Sequence, residues 1–183
     1  EGDLEGKPPH AMRAYRARGG TEVPLCEVTE AQMREVVAHT YGMIGFVDDM
    51  VGRIIGTLEE MGLAENTIVM FCSDHGELLW DHRLLKKGPF PYGGLLRTPM
   101  IWRWPEGLPA GGTAEGLFSF SDIAPTVLDL LGMESWEGVE GRSQLPVLRG
   151  EARSVREAAL TEYYHGKVRP EDGMRLKTLT TER

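Results

Sequence analysis

An apolar run over residues 67–72 ends close to a carboxylate and an imidazole that lie side by side, Asp74 and His75. The run is rich in β-branched and bulky residues and Gly76 follows the pair, a pattern typical of a buried strand and its exit. In open α/β sheets, ligands bind outside the carboxyl ends of the strands, where this pair would emerge. Asp74 and His75 are therefore candidate ligands. The competing interpretation is a polar turn after a buried strand.

A second candidate group lies in residues 77–94, a segment too long to be a simple connection. Long ordered loops at strand ends are common places for binding and catalytic sites. Lys86 and Lys87 precede Gly88 and Pro89, a sequence that predicts a turn directing one ammonium back toward the carboxylate and imidazole. An ammonium suits a tetrahedral oxyanion such as sulfate or phosphate. Two solvated lysines on a loop are the alternative.

The elements that must position these groups begin with a long helix. Thr29 and Gln32 have the spacing of a capping box, and apolar residues then recur at helical spacing over residues 30–61, with Gly62 as the predicted end. Four glycines lie within this helix, namely Gly42, Gly45, Gly52 and Gly56. They predict either a bend or a close approach of neighbouring backbone, and each weakens the helix by up to ~1 kcal/mol relative to alanine.

Further elements alternate along the chain after this helix. Strands are predicted at residues 67–72, 99–104 and 157–164, and a helix at 122–131. Ser121 is the expected N-cap of that helix, with Asp122 favourable to its dipole and Gly132 at its end. Residues 133–153 are rich in turn formers. The alternation predicts an α/β fold with a layered sheet flanked by helices.

Composition limits the partners. The chain has 183 residues and a formal net charge of −8, which argues against nonspecific binding to nucleic acid or to an anionic membrane surface. An anionic substrate therefore needs local positive charge. No apolar run reaches the ~18 residues of a membrane span. Cys26 and Cys72 give neither a disulfide framework nor a zinc spacing, and the cellular compartment stays open.

Several segments together resemble the sulfatases of the alkaline-phosphatase-like superfamily. Ordered segments at residues 41–54, 62–63, 66–77, 81–82, 87–88, 97–99, 122–126 and 141–143 carry the resemblance. It implies that Asp74 and His75 ligate a divalent cation and that Lys87, twelve residues after His75, contacts the sulfate oxygens of a substrate. The cation is usually calcium in this family, with manganese or zinc as alternatives because imidazole is less typical of calcium. The implied protein is a metal-dependent sulfuric ester hydrolase acting on a sulfated small molecule or saccharide.

The chain also departs from the family. Sulfatases carry a pattern Cys/Ser-x-Pro-x-Arg, oxidised to formylglycine, and neither Cys26 nor Cys72 fits it. The resemblance therefore implies a C-terminal portion of the catalytic domain, inactive alone, with formylglycine expected in a missing N-terminal part. The expected layout is a loop-rich lead-in at 1–28, a sulfatase-like core at 29–150 and a truncated C-terminal portion at 151–183. Another chain is expected to cover the exposed sheet edge.

Two alternative functions and three residues remain open. A phosphonate or phosphodiester hydrolase of the same superfamily would use the same groups, and a noncatalytic binding or assembly module would need none of them. Asp48 and Asp49 lie mid-helix, where a solvated face is favoured over a metal or acid–base role. His82 suits either a proton donor or a support for the loop, and the structural role is favoured. The natural substrate stays open.

Overall fold

The computed structural model describes residues 28–164 and 175–181. The expected lead-in over residues 1–28, which includes Cys26, lies outside the described residues except for Val28. The described chain contains both helices and strands, and it divides into two compact units. Among the described residues, Met70–Ile101 belongs to one unit together with residues 28–64, and Glu65–Val69 belongs to the other together with residues 102–164 and 175–181. In the described part, no helix is both long enough and apolar enough to cross a membrane.

Helix α1 spans Glu30–Glu60 and confirms the predicted capping box. The Thr29 hydroxyl accepts a hydrogen bond from the backbone N–H of Gln32 at 3.3 Å, and the Gln32 side-chain oxygen accepts one from the N–H of Thr29 at 2.9 Å. These bonds satisfy backbone donors that the first helical turn leaves without partners. Gly62 follows the helix with φ +68°, a left-handed conformation that glycine adopts without strain.

We expect Thr29→Ala to lower the free energy of unfolding by about 1 kcal/mol, because the reciprocal cap is lost. Thr57→Ala on the same helix is the matched control, since the Thr57 hydroxyl donates only to the Arg53 carbonyl, four residues earlier. The control is expected to change stability little, because alanine has the higher helix propensity. Urea denaturation followed by far-ultraviolet circular dichroism measures both variants. An equal decrease in the free energy of unfolding in the two variants would contradict a capping role for Thr29.

Much of the apolar surface of α1 is exposed in the described part of the chain. Met33 is buried, whereas Val36, Tyr41, Ile44, Phe46, Val47 and Ile54 are exposed. The helix is continuous over 31 residues, and apart from the helix's own neighbouring backbone, no described atom would lie within 4 Å of a Cβ added at any of its four glycines. The close backbone approach predicted from those glycines is therefore not found among the described residues. Asp48 and Asp49 are both exposed, as expected for a solvated helix face.

Strands β1, Val69–Cys72, and β2, Met100–Arg103, pair in a two-stranded sheet. Both are shorter than predicted. Pro99 has no N–H to contribute to a ladder and Pro105 restricts the residue before it, so β2 is bounded by two prolines. The helix α2, Gly93–Leu96, precedes β2 and was not predicted. Within the described residues this pair of strands does not extend into the larger layered sheet that the alternation predicts.

A 3-10 turn at Asp81–Arg83 lies in the first unit, and the second unit contains five further regular elements among the described residues. They are a 3-10 turn at Phe120–Asp122, helix α3 at Ile123–Leu130, helix α4 at Leu145–Leu148, strand β3 at Ala158–Tyr164 and strand β4 at Arg175–Thr181. Strands β3 and β4 are antiparallel, with Glu162 opposite Lys177 and an ion pair of 2.6 Å between their side chains. Helix α3 and strand β3 confirm the predicted elements, whereas α4 and β4 were not predicted.

The expected N-cap at Ser121 is wrong, because Ser121 lies inside a 3-10 turn capped by Ser119, and the residue directly before α3 is Asp122. Asp122 lies at the N-terminus of α3 and is completely buried. Its carboxylate accepts hydrogen bonds from the backbone N–H groups of Ser119 at 3.0 Å and Arg142 at 2.9 Å, and from the Gln144 amide at 2.8 Å. It also forms an ion pair with Arg156. A buried carboxylate with this many donors joins segments up to 34 residues apart.

Candidate functional site

Asp74 and His75 lie just beyond the end of β1, and local hydrogen bonds hold the turn that presents them. The Ser73 hydroxyl donates to the His75 carbonyl at 2.8 Å, and the His75 backbone N–H donates to Oδ1 of Asp74 at 3.0 Å. The Asp74 side chain is 85% exposed and the His75 side chain 37% exposed. Oδ2 of Asp74 and Nε2 of His75 are 3.5 Å apart, so an oxygen and a nitrogen converge on one point at the surface.

The hydrogen-bond partners of His75 assign its protonation. Nδ1 lies 2.7 Å from the Gly76 carbonyl oxygen, which only accepts hydrogen bonds, so Nδ1 carries a proton. Nε2 lies 2.6 Å from Nζ of Lys87, a group that only donates, so Nε2 carries the lone pair. A histidine whose Nδ1–H is held by a backbone carbonyl is oriented to use Nε2 as a ligand atom.

Glycine is required at position 76 by the close approach of another backbone segment. The Gly76 N–H donates to the Leu95 carbonyl at 3.0 Å, which ties the exit of β1 to α2. A Cβ at this position would lie 1.8 Å from the carbonyl oxygen of Gly94. The residue that orients the His75 ring is thus fixed by packing against α2.

Lys87, twelve residues after His75 in the same loop, contacts the imidazole. Its side chain is exposed, and its Nζ contacts Nε2 of His75 at 2.6 Å. The structure therefore brings the sequence-predicted Lys87 to His75, with Asp74 adjacent. All three residues lie in the unit that contains Met70–Ile101.

A small apolar core inside the loop holds the backbone around Lys87. Leu78, Leu84, Phe90 and Leu95 form this cluster, and Tyr92 packs against it. Backbone hydrogen bonds close the loop, including Leu78 N–H to the Lys86 carbonyl at 3.3 Å and Trp80 N–H to the Leu84 carbonyl at 2.8 Å. The loop is consequently a packed unit rather than a solvated connection.

The turn predicted from residues 86–89 is present, with a bend at Lys86. Lys86 has φ +64°, and Leu79, Trp80 and His82 in the same loop also have positive φ. Non-glycine residues in this region cost of order 1–3 kcal/mol each and persist only where surrounding contacts hold them. The core of the loop and its backbone bonds supply those contacts. Nothing in the residue type of Lys86 signalled this conformation.

His82 is packed inside the loop. Its ring stacks on Tyr92 with centroids 3.8 Å apart, and its Nε2 lies 3.7 Å from Oδ1 of Asp81. This arrangement agrees with a supporting role for the loop, the interpretation that sequence reasoning favoured. Sequence reasoning missed Tyr92, and the only available signal was an aromatic residue between Pro91 and two glycines.

The donor chemistry of Asp74 and His75 fits part of a divalent-cation site. A carboxylate oxygen suits calcium or manganese, and an imidazole nitrogen suits manganese or zinc. Calcium takes about 6 to 8 oxygen ligands, so two side chains supply only a fraction of a coordination shell. Across residues 28–164 and 175–181, no group of three or more His, Cys, Asp or Glu side chains is arranged to hold a metal ion.

Comparison with known proteins gives consistent matches in sequence. The family model described as Sulfatase matches residues 7–133. An N-acetylglucosamine-6-O-sulfatase of Bacteroides thetaiotaomicron is 36% identical over 119 residues, which cover 65% of this chain and 21% of that protein. The chain thus spans about a fifth of the length of this relative.

Solved structures give matches of the same kind. A protein in complex with its substrate, D-glucosamine-2-N,6-O-disulfate, is similar with a TM-score of 0.75 and 29% identity, covering 94% of this chain and 35% of that chain. A phosphonate monoester hydrolase from Silicibacter pomeroyi is similar with a TM-score of 0.78 and 30% identity, covering 88% of this chain and 33% of that chain. Both similarities cover most of this chain and about a third of the other.

Proposed function

The chain belongs to the sulfatase family of the alkaline phosphatase superfamily, and from this we propose that it carries part of the metal site and the sulfate-binding lysine of a metal-dependent sulfuric ester hydrolase. The observation that supports the proposal is the 2.6 Å contact between Lys87 and His75, with the Asp74 carboxylate 3.5 Å from the same imidazole nitrogen. A carboxylate and an imidazole, both possible metal ligands, thus lie next to an ammonium that could bind an anion.

Each residue has a separate role in this proposal. Asp74 and His75 would hold the cation, with Ca²⁺ proposed first and Mn²⁺ as the alternative. A bound cation supplies Lewis-acid neutralisation of the nonbridging oxygens of the ester. Lys87 donates N–H groups to those oxygens and stabilises the charge that develops on them. Gly76 holds the Nδ1 proton of His75 and so keeps its Nε2 lone pair directed outward.

The proposal covers a part of the reaction only. The pattern Cys/Ser-x-Pro-x-Arg does not occur in the 183 residues, so we assign no nucleophile to this chain and expect no ester turnover from it alone. We propose a sulfated saccharide or small molecule as the substrate class, a choice supported by the similar structure that contains a sulfated glucosamine. We also propose that residues 29–150 are the sulfatase-like core segment and that β1 and β2 belong to a larger layered sheet.

A cation titration tests the proposed metal site. The chain is expected to bind Mn²⁺ and Ca²⁺ weakly, and Asp74→Ala is expected to weaken binding by about tenfold or more, because even outer-shell partners of metal ligands are worth about 10- to 100-fold. Isothermal titration calorimetry measures this directly, with the shift in melting temperature as a second readout.

The matched control is Asp48→Ala, which removes an exposed carboxylate from α1 and is expected to leave the affinity unchanged. Equal affinities for the wild-type chain and Asp74→Ala would rule out the proposed ligand. A chain that gives neither heat nor a melting shift with either cation would favour the noncatalytic binding or assembly module.

A phosphonate monoester hydrolase is the second candidate, supported by the TM-score of 0.78 with the Silicibacter pomeroyi enzyme. An ammonium beside a metal site suits phosphonate oxygens as well as sulfate oxygens. The two candidates predict different anion preferences. Displacement of sulfate from the chain by methylphosphonate at equal concentration, in the presence of Mn²⁺, would support a phosphonate monoester hydrolase. Retention of sulfate would support a sulfatase.

A further inference from the structure

The two ring nitrogens of His75 have fixed and different partners. Nδ1–H donates a hydrogen bond to the Gly76 carbonyl at 2.7 Å, and Nε2 accepts a hydrogen bond from the Lys87 ammonium at 2.6 Å. With Nδ1 bonded to the carbonyl, the ring presents one lone pair, at Nε2, and that lone pair faces the Lys87 ammonium. The ring has no second lone pair to offer, because the other nitrogen is committed to the carbonyl.

One lone pair accepts one N–H or binds one metal ion, but not both. We infer that the Lys87 ammonium competes with a divalent cation for Nε2 of His75, so that cation binding at this nitrogen releases Lys87 toward the substrate anion. This inference rests on the proposed function, because it needs the cation to bind at His75. It adds a coupling between the two binding events. When Nε2 of His75 exchanges the Lys87 ammonium for the cation, the ammonium becomes available to an oxyanion.

The surroundings of Lys87 favour a movement of the side chain alone. Its backbone is held by the apolar cluster in the loop and by the hydrogen bond between Leu78 and Lys86, whereas its side chain is exposed. An exposed lysine stem has several rotamers of similar energy, so the ammonium leaves Nε2 without disturbing the loop. An ammonium and a divalent cation on the same nitrogen would also repel each other.

The neighbouring lysine provides a matched control for charge. Lys86 is also exposed and lies one residue earlier, so replacing it removes the same charge from the same loop. Lys86→Met therefore measures the general electrostatic effect on cation binding. Lys87→Met removes the same charge and, in addition, the N–H that occupies Nε2.

The test is a titration of the full chain with Mn²⁺, followed by paramagnetic broadening of the His75 ring C–H signals in proton NMR. The signals are identified by their loss in His75→Gln. A hydrogen bond to a charged group is worth about a factor of ten in an equilibrium constant. Lys87→Met is therefore expected to lower the Kd for Mn²⁺ by about tenfold, and Lys86→Met by about twofold or less, because exposed charges are screened.

Three outcomes separate this inference from the function on which it rests. A larger increase in affinity for Mn²⁺ in Lys87→Met than in Lys86→Met supports competition between the ammonium and the cation. If the His75 signals broaden but the affinity for Mn²⁺ rises equally in both variants, or in neither, competition is overturned. The proposed metal site is then retained. No broadening of the His75 signals in the wild-type chain or either lysine variant overturns the metal site, and competition with it.

Discussion

Gly76→Ala is expected to lower the free energy of unfolding by about 3 kcal/mol, the larger part from overpacking and the remainder from a weakened backbone hydrogen bond. The new Cβ would lie 1.8 Å from the Gly94 carbonyl oxygen, and a backbone atom cannot move aside as a flexible side chain does. Relief of the overlap must separate the exit of β1 from α2, which breaks the bond from Gly76 N–H to the Leu95 carbonyl.

The same substitution is expected to disturb His75, since the Gly76 carbonyl accepts its Nδ1 proton. Gly45→Ala is the control, because the residue lies inside α1 and no described atom beyond the neighbouring backbone of that helix lies within 4 Å of a Cβ added there. That variant is expected to gain up to ~1 kcal/mol from helix propensity. Denaturant unfolding of both variants measures the difference. A loss in Gly76→Ala no larger than about 0.5 kcal/mol would mean that the two segments separate without cost.

Asp122→Asn is expected to lower the free energy of unfolding by about 3 to 5 kcal/mol, the usual cost of removing one partner of a buried ion pair. Both oxygens of Asp122 accept hydrogen bonds: Oδ2 from the Ser119 N–H and the Gln144 amide, Oδ1 from the Arg142 N–H and Arg156. An amide NH₂ in place of either oxygen would face two donors, and Arg156 would keep its charge with a side chain only 12% exposed.

Glu162→Gln is the control for this prediction, because Glu162 pairs with Lys177 on the exposed face of the β3–β4 hairpin. Exposed pairs contribute about 0 to 1 kcal/mol, so little change is expected. The double variant Asp122→Asn with Arg156→Met is expected to recover part of the loss, because no unpaired charge is then buried. Chemical denaturation of all three variants checks the prediction. Equal losses in Asp122→Asn and Glu162→Gln would contradict a central role for Asp122.

Sequence patterns predicted the parts of the fold that depend on neighbours along the chain. The capping box at Thr29 and Gln32, the helix that follows it and the end at Gly62 were all predicted, because hydrogen bonds and side-chain periodicity within a helix connect residues three or four positions apart. The strand before Asp74 was predicted for a similar reason, although its length was not. Strand length depends on the partner strand, which the local sequence does not specify.

Contacts between distant residues were decided by the tertiary structure. The sequence placed Asp122 at a helix end, and the fold buried it because Arg142, Gln144 and Arg156 supply donors from other segments. The sequence predicted a turn within residues 86–89 but not which residue adopts the positive φ, and the fold put it at Lys86 because the apolar core of the loop determines the path of the backbone. Such contacts depend on which distant segments pack together in the folded chain, and residue spacing along the sequence does not specify this.

The candidate site combines both kinds of information. By itself the sequence determined that a carboxylate and an imidazole follow a strand and that a lysine lies twelve residues beyond the imidazole, since residue type and order are local properties. The tertiary structure decided which nitrogen of His75 holds the lone pair and which group faces it. That choice depends on the Gly76 carbonyl, the close approach of Gly94 and the position of the Lys87 ammonium. A proton is placed by the groups that surround it in space, so the chemistry of His75 is defined only in the folded chain.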